Sequence, residues 1–511
     1  MVKVNVGRQT ETPPASSEPA RDNRGMPGVL EQPQIASTPA LPRGPHSLTR
    51  EQVATNQRAR LLEGMIDAIG EKGYAATTVS DVIRRARVSR KAFYEHFANK
   101  EECFLETYDS IAAVGQRGVA KVFRRSQGLP DGAQTALAEL IELATARPDA
   151  LRVLMVEIGA AGPAGIERRE QLVVRYEDIL RESLGLTAGP GAIPNPVLRG
   201  VLGGLLHVIY AHLRRGERKQ LRKRLPDLVN WATSYWPAPE SIMTLVDPTP
   251  RELHLDLAGD GGGRAPGSLS LGAATSRRRR LPRGENGMPR SFVVHSQRDR
   301  ILDAVTNLTA RGGYAALTVE GIAADASVSL QAFYEHFGDK EDAFLVAFEI
   351  GQDKALALVE RAYDAQHDWR YGVRAGLSAL FGFFAGEPAF AHMAMIDVLA
   401  ATERTTARAF KGATPYAQML HPRPGHTPGG LRIPEVTIQA IGGGLFELML
   451  HHALQHRVPE LPVMVPRATY FALAPFIGAE AAGEVATGVG VSGAAVVEPG
   501  AAAVEPQLGA L

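Results

Sequence analysis

Ala92-Phe93-Tyr94-Glu95-His96-Phe97 stands a second time in the chain as Ala332-Phe333-Tyr334-Glu335-His336-Phe337, and that recurrence decides the architecture. The offset is 240 residues, and it also relates Gly73-Tyr74-Ala75-Ala76 to Gly313-Tyr314-Ala315-Ala316. It carries on into later regions: Pro148 aligns with Pro388, Glu157 with Asp397, and Gly203-Gly204-Leu205 with Gly443-Gly444-Leu445. Near-identity at the start of each copy, thinning to a skeleton afterwards, reads as a tandem duplication of a two-domain unit.

Working outward from the hexapeptide, Phe93 and Phe97 lie four apart and bury one face of a short helix, which Ser89 (Ser329 in the second copy) can cap. Just upstream, Val79, Val82, Ile83 and Ala86 give the inward face of a helix of two turns. Thr78 caps it, and Asp81 completes a capping box; Thr318 can cap the counterpart, where Gly321 leaves the box unfinished. Further upstream, Leu61, Leu62, Met65, Ile66 and Ile69 make an amphipathic first helix, echoed more weakly by Ile301, Leu302, Val305 and Leu308. Gly73 and Gly313 are its expected stops. Asn99-Lys100-Glu101-Glu102 and Asp339-Lys340-Glu341-Asp342 open a fourth helix. Two short helices joined by a tight turn, the second with an exposed polar face, form a helix-turn-helix.

A chain of 511 residues exceeds what one core normally serves. With 45% hydrophobic and 22% charged residues its composition is that of an ordinary globular protein, and a net charge of +1 argues neither for nor against nucleic acid. The single cysteine, Cys103, cannot form an intrachain disulfide, no apolar run suggests a membrane span, and no secretory leader is visible, so a cytoplasmic location is expected. The boundaries follow from composition. Residues 1–46, 237–290 and 480–511 are Pro/Gly/Ser- or Ala/Gly-rich and read as a disordered arm, a flexible basic linker and a disordered tail. Between them lie helix-turn-helix domains at 47–100 and 291–340, and helical regulatory domains at 101–236 and 341–479. The fold class is all-α, in two tandem units.

These residues resemble the TetR family of bacterial transcriptional regulators. The resemblance rests on Thr78-Val79, Ala86, Val88-Ser89, Phe93-Tyr94, His96-Phe97 and Lys100-Glu101 within Arg58–Leu105, and on the matching run Arg298–Leu345. Both copies depart from the pattern at the turn, where the usual glycine is Arg87 or Ser327, and Ile83 replaces a small alanine that the second copy keeps as Ala323.

With Phe93 and Phe97 inside, helical geometry sends Arg90, Lys91, Tyr94 and Glu95 outward, toward a major groove. Arg90 and Lys91 can donate to guanine, and Glu95 can accept from cytosine. The resemblance implies phosphate contacts from Thr78, Tyr94, His96 and Lys100, with Ser89 beside them; packing against the first helix is the plainer role for Tyr94 and His96. Arg84, Arg85 and Arg87 are either phosphate contacts or a solvated face. The second copy offers Thr318, Ser329, Leu330, Gln331, Tyr334, His336 and Lys340, with Leu330 suited to a thymine methyl and Gln331 to adenine. Over 58–100 there are nine Lys/Arg and five Asp/Glu, a net of +4; over 298–340 there are four and six, a net of −2. Since each neutralised phosphate steepens the salt dependence by about 0.9, the first copy should dominate binding to double-stranded DNA. Arg43 and the run Arg277–Arg280 can add phosphate contacts or merely solubilise.

The later helices carry an apolar stripe, Val201, Leu205, Leu206, Val208, Ile209 and Leu213, and its counterpart from Ile441 to Leu450. The resemblance makes them a dimer interface, within the chain or between two chains, and places a small-molecule effector site in the regulatory domain. No cofactor is expected. Phe381, Phe383, Phe384 and Phe390 can line a cavity, though their spacing suits core packing better. His451, His452 and His456 lack the further ligands a metal needs, and Cys103 lacks a basic activator. The function expected is a ligand-responsive repressor. The alternative is a binding scaffold whose second helix-turn-helix serves only as a partner. No catalytic motif points to an enzyme.

Overall fold

The computed structural model describes residues 49–126, 129–184, 193–245, 290–412, 414–421 and 434–488, and among them helix is the only regular secondary structure. The arm at 1–46, Arg43 with it, most of the linker including Arg277–Arg280, and the tail beyond 488 lie outside the described residues. Unit one runs through α1 (Arg50–Ala76), α2 (Val79–Ala86), α3 (Arg90–His96), α4 (Lys100–Arg125), α5 (Leu129–Ala146) and α6 (Pro148–Arg152). A π-helical stretch, Val153–Glu157, and a 3₁₀ turn, Ile158–Ala161, lead into α7 (Gly162–Leu184), α8 (Asn195–Arg214), α9 (Arg218–Lys223), α10 (Leu225–Thr233) and α11 (Glu240–Met243). Unit two repeats the plan with α12 (Arg290–Ala316), α13 (Val319–Ala326), α14 (Leu330–His336), α15 (Lys340–Asp364), α16 (Trp369–Gly386) and α17 (Pro388–His392). Its π-helical stretch is Met393–Asp397, followed by α18 (Val398–Ala400), α19 (Glu403–Gly412), α20 (Thr414–Gln418), α21 (Glu435–Leu454), α22 (Val465–Ile477) and α23 (Ala479–Thr487).

The helix-turn-helix forms for local reasons that the sequence states. Thr78 accepts the Asp81 amide and Asp81 returns the bond to the Thr78 amide, while Thr318 accepts the Gly321 amide alone. Ser89 and Ser329 cap α3 and α14. Phe93 and Phe97 are buried with Leu61, Met65, Val82 and Ala86. Arg87 and Ser327, standing where glycine is usual, take left-handed backbone angles, φ 50° and 53°. A β-carbon there costs roughly 1 kcal/mol, small beside the aromatic core that fixes the turn.

The two units meet along α8 and α21, and the contacts are reciprocal. Gly203 lies against Glu447, and Gly443 against His207; Gly204 lies against Ala440 and Trp231, and Gly444 against Gly200 and Phe471. Every partner in one pair is the other's counterpart 240 residues away, the pattern that a two-fold axis imposes. A β-carbon at any of these four glycines would collide with the facing helix, which accounts for residues that otherwise cost helix propensity. Trp231 and Phe471, also counterparts, meet edge to face at 6.2 Å. The Tyr235 hydroxyl donates to the Phe471 carbonyl at 3.0 Å, and the Tyr470 hydroxyl to the Tyr235 carbonyl at 3.0 Å.

Three expectations are corrected. The tail expected to be disordered from 480 begins as a helix, because α23 buries Ala482, Val485 and Ala486. The linker expected from 237 likewise starts as structure: Pro239 and Ser241 close over Gly483, and Ile242 is buried. The α8 helix is long and apolar enough to cross a membrane, contrary to the reading of the bare sequence, but half of it is buried in the protein and α21 covers its apolar face.

Candidate nucleic-acid interface

The outward face of α3 carries Arg90, Lys91, Tyr94 and Glu95, all exposed, as the burial of Ala92 and Phe93 requires. Lys91 is 88% exposed, with its ammonium 3.8 Å from Glu95, a separation that water screens heavily. Tyr94 is 49% exposed and edge-on to Phe93, and the Arg90 guanidinium lies 5.9 Å from its ring centre. Thr78 is exposed at the start of α2, its hydroxyl donating to Asp81 at 2.6 Å. Ser89, Arg84 and Arg87 are exposed on the same side, Arg84 holding Asp81 at 2.9 Å. Hydrogen bonds from Lys72 and Thr78 hold the Asp81 carboxyl far below the ordinary range, so α2 begins with a fixed negative charge that completes its cap.

Three cations expected on the outer face turn inward instead. Arg85 is only 12% exposed and spends its guanidinium on Glu71 and the Asp81 carbonyl. Lys100 donates to the Tyr74 carbonyl at 3.0 Å and sits 4.1 Å from that ring's centre; Lys340 repeats this with the carbonyls of Tyr314 and Leu317. His96 and His336 are half-buried beside Phe97 and Phe337. Burial first, then the neighbouring Arg58 or Arg298, holds their imidazoles below the ordinary value, so at neutral pH they are uncharged.

In unit two, Thr318 and Ser329 are exposed caps, and Gln331 donates to Glu335 at 3.2 Å. Leu330 and Tyr334 are 45% and 58% exposed, one turn apart on α14. This surface has no Lys or Arg on α14 and keeps the Glu335 carboxylate, where unit one is cationic. Each helix-turn-helix is tied to its regulatory domain by a carboxylate from the π-helical stretch. Glu157 accepts the Tyr74 amide at 2.9 Å, and Asp397 the Tyr314 amide at 3.0 Å. These amides follow Gly73 and Gly313, whose positive φ breaks α1 and α12 and leaves the donors without a helical partner. Sequence reading paired Glu157 with Asp397 by register but gave them no role.

Above the DNA-binding domains, unit one encloses a mainly apolar cavity of about 240 Å³, and the corresponding space in unit two is about 60 Å³. The phenylalanine cluster of unit two fills its core as the spacing suggested: Phe384 stacks on Phe390 at 6.1 Å, and Phe383 meets Phe390 edge to face. His451 binds Glu170 at 2.8 Å and His452 the Leu448 carbonyl, and among the described residues no metal-ligand cluster occurs. Burial pushes the Cys103 thiol up to about 12, which makes it inert.

A family model described as bacterial regulatory proteins, tetR family, matches residues 61–107 and again 301–347. The HTH-type transcriptional repressor Rv1474c of Mycobacterium tuberculosis is 29% identical over 181 residues, 34% of this chain and 90% of that protein. An uncharacterized HTH-type regulator of Bacillus subtilis, YxbF, is 44% identical over 46 residues, so the chain spans only 12% of its length. Among solved structures, FadR from Bacillus subtilis in complex with stearoyl-CoA has 13% identity and a TM-score of 0.31, over 34% of this chain and 96% of that one. A TetR family regulator from Marinobacter aquaeolei has 19% identity and a TM-score of 0.28, over 36% and 98%. The relatives with a stated role are transcriptional regulators, not enzymes. The DNA-binding domain that this polypeptide carries twice, at 61–107 and 301–347, is that of the TetR family of bacterial transcriptional regulators, in tandem duplication.

Proposed function

We propose that the protein is a ligand-responsive repressor, acting in the cytoplasm, in which the two units form a dimer within one chain. The reciprocal α8–α21 contacts carry this reading, because they give one polypeptide the two-fold relation that helix-turn-helix dimers use to address adjacent half-sites. Unit one reads the stronger half-site through Arg90, Lys91 and Glu95, with Tyr94, Thr78, Ser89, Arg84 and Arg87 on the backbone. Unit two reads a weaker one through Leu330, Gln331 and Tyr334, with Thr318 and Ser329 at its edge. His96 and His336 serve as neutral donors. Arg85, Lys100 and Lys340 shape the domain from within. An effector in the regulatory half favours the state whose recognition helices no longer match the half-site spacing.

The test starts from duplexes selected out of a random pool with the full chain. The expected site is asymmetric, and light scattering gives the mass of one chain per duplex. Two chains on a palindrome of two strong half-sites would overturn the reading. A second reading has a specific observation behind it: the α14 surface, which has no Lys or Arg, suits a partner that supports unit one without touching DNA. Replacing Gln331 and Tyr334 by Ala separates the two. Unchanged affinity and footprint favour the scaffold; a footprint shortened on one side favours two readers.

A further inference from the structure

The duplication makes each cavity the other's control, and their differences are chemical as well as volumetric. Tyr108 and Tyr176 line the unit-one cavity; their counterparts 240 residues on are Phe348, which has no hydroxyl, and Tyr416, whose hydroxyl donates to the Gln352 carbonyl at 3.0 Å. The Tyr108 hydroxyl, by contrast, is buried with no hydrogen-bond partner among the described residues. A buried orphan hydroxyl is costly, and on a residue that lines a cavity it is a place for a ligand's polar group.

The charges on the wall cancel. Arg169 and Glu447 both line the cavity and form a bidentate pair at 3.1 and 2.6 Å, joining unit one to unit two. Burial, then the charge of Arg215, holds His207 at about 4, so it is neutral at working pH. Glu139, the remaining acid in the described lining, is partly exposed, with the opposite charge of Lys121 nearby. Beyond the partly exposed Glu139, with Lys121 nearby, an ionic ligand would find no unpaired counter-charge, which is expensive in an apolar enclosure. Unit two closes the site with Phe446, Leu450 and Leu399.

We propose that the chain has one effector site, the unit-one cavity completed by unit two, and that it takes a single uncharged, mainly apolar molecule whose polar group meets the Tyr108 hydroxyl. This rests on the regulator reading above and adds the stoichiometry and chemical class of its effector. Unit two has given up its own site to aromatic packing.

Isothermal titration of the full chain with 1-decanol, decanoate and decylammonium tests it without DNA. One decanol per chain is expected, with both ions at least about tenfold weaker. Tyr108→Phe keeps the shape and should weaken decanol about three- to tenfold, the worth of one hydrogen bond. Glu447→Gln leaves Arg169 unpaired and should shift the preference toward decanoate by about tenfold or more. Leu202→Trp fills the cavity and should abolish binding, whereas Met419→Trp, in the unit-two space, should not alter it. No decanol binding, two decanols per chain, decanoate as tight as decanol, or indifference to Tyr108→Phe would each overturn the proposal. Those results leave the regulator reading standing as long as selected duplexes are bound; a chain that takes decanol but no duplex sinks that reading alone.

Discussion

Of the basic side chains between residues 58 and 100, the fold spends Lys72 on Asp81, Arg85 on Glu71, Arg58 on Glu106 and Lys100 on a backbone carbonyl. Arg84, Arg87, Arg90 and Lys91 remain exposed on the α2–α3 surface, so on the proposed reading they are the cations that meet a duplex. Replacing Arg90 and Lys91 together by Ala should cost at least about tenfold in affinity for a selected duplex, because a bidentate guanine contact is worth about 1–3 kcal/mol. Fluorescence anisotropy over a salt series checks this; an unchanged affinity and slope would remove these two from the reading head. Arg87→Gly separates fold from function at one position. Relief of the left-handed strain should raise stability by up to about 1 kcal/mol in chemical denaturation. Loss of a phosphate contact should flatten the salt slope by about 0.9. A stabilised protein with an unaltered slope would leave Arg87 outside the interface. The outward face of α3 was legible in the sequence because two buried phenylalanines fix its rotation. The inward turn of Arg85 and Lys100 was not, because their partners, Glu71 and the Tyr74 carbonyl, lie on another helix.

At the scale of elements, the π-helical stretches Val153–Glu157 and Met393–Asp397 are the joints between DNA-binding and regulatory domains. In unit one the same stretch faces the cavity through Leu154, Met155 and Val156 and binds the Tyr74 amide through Glu157. Arg152 holds Glu157 from the side at 2.8 Å, and His392 holds Asp397 at 2.7 Å. Widened turns of this kind recur at functional positions in helices. Glu157→Ala strands a buried amide and leaves Arg152 without its carboxylate, so it should cost about 1.5–3 kcal/mol in chemical denaturation, the worth of a charge-assisted bond. Hydrogen exchange at the Tyr74 amide should quicken as well. Normal protection there would mean that another group satisfies the amide. The helices themselves were readable from caps and apolar period, and the matched register of Glu157 and Asp397 was readable from the repeat. The joint was not, because its other half is a backbone amide 83 residues away that carries no side-chain signal.

For the whole molecule, the duplication announced two units, and the α8–α21 glycines make sense only once the units are docked against each other. That contact is two-fold in its backbone and lopsided in its charges. Arg199 of α8, buried, binds Glu170 at 2.7 Å and Glu177 at 2.9 Å, and His451 of α21 donates to the same Glu170 at 2.8 Å. The counterparts of Glu170 and Arg199 are Phe410 and Gln439, so the network exists once. Burial opposes the Glu170 charge, but the bond from His451 and the charge of Arg199 outweigh it and hold the carboxyl at about 2, against an ordinary 4.5. A depressed folded-state value stabilises the fold at every pH above the unfolded one, and the gain disappears as pH falls from 4.5 through 2. Glu177 works the other way: burial raises it, and acid relieves it. Glu170 is the carboxyl of this network whose ionised form the fold favours, so its loss should govern this corner of the molecule. Glu170→Gln should therefore be less stable than the parent near neutral pH, and the gap should close as both are acidified toward pH 2. Thermal unfolding across that range, followed by circular dichroism, gives the comparison. A gap that persists undiminished in acid would mean that the stabilisation does not come from the ionised carboxyl, and that shape rather than charge joins the two units there.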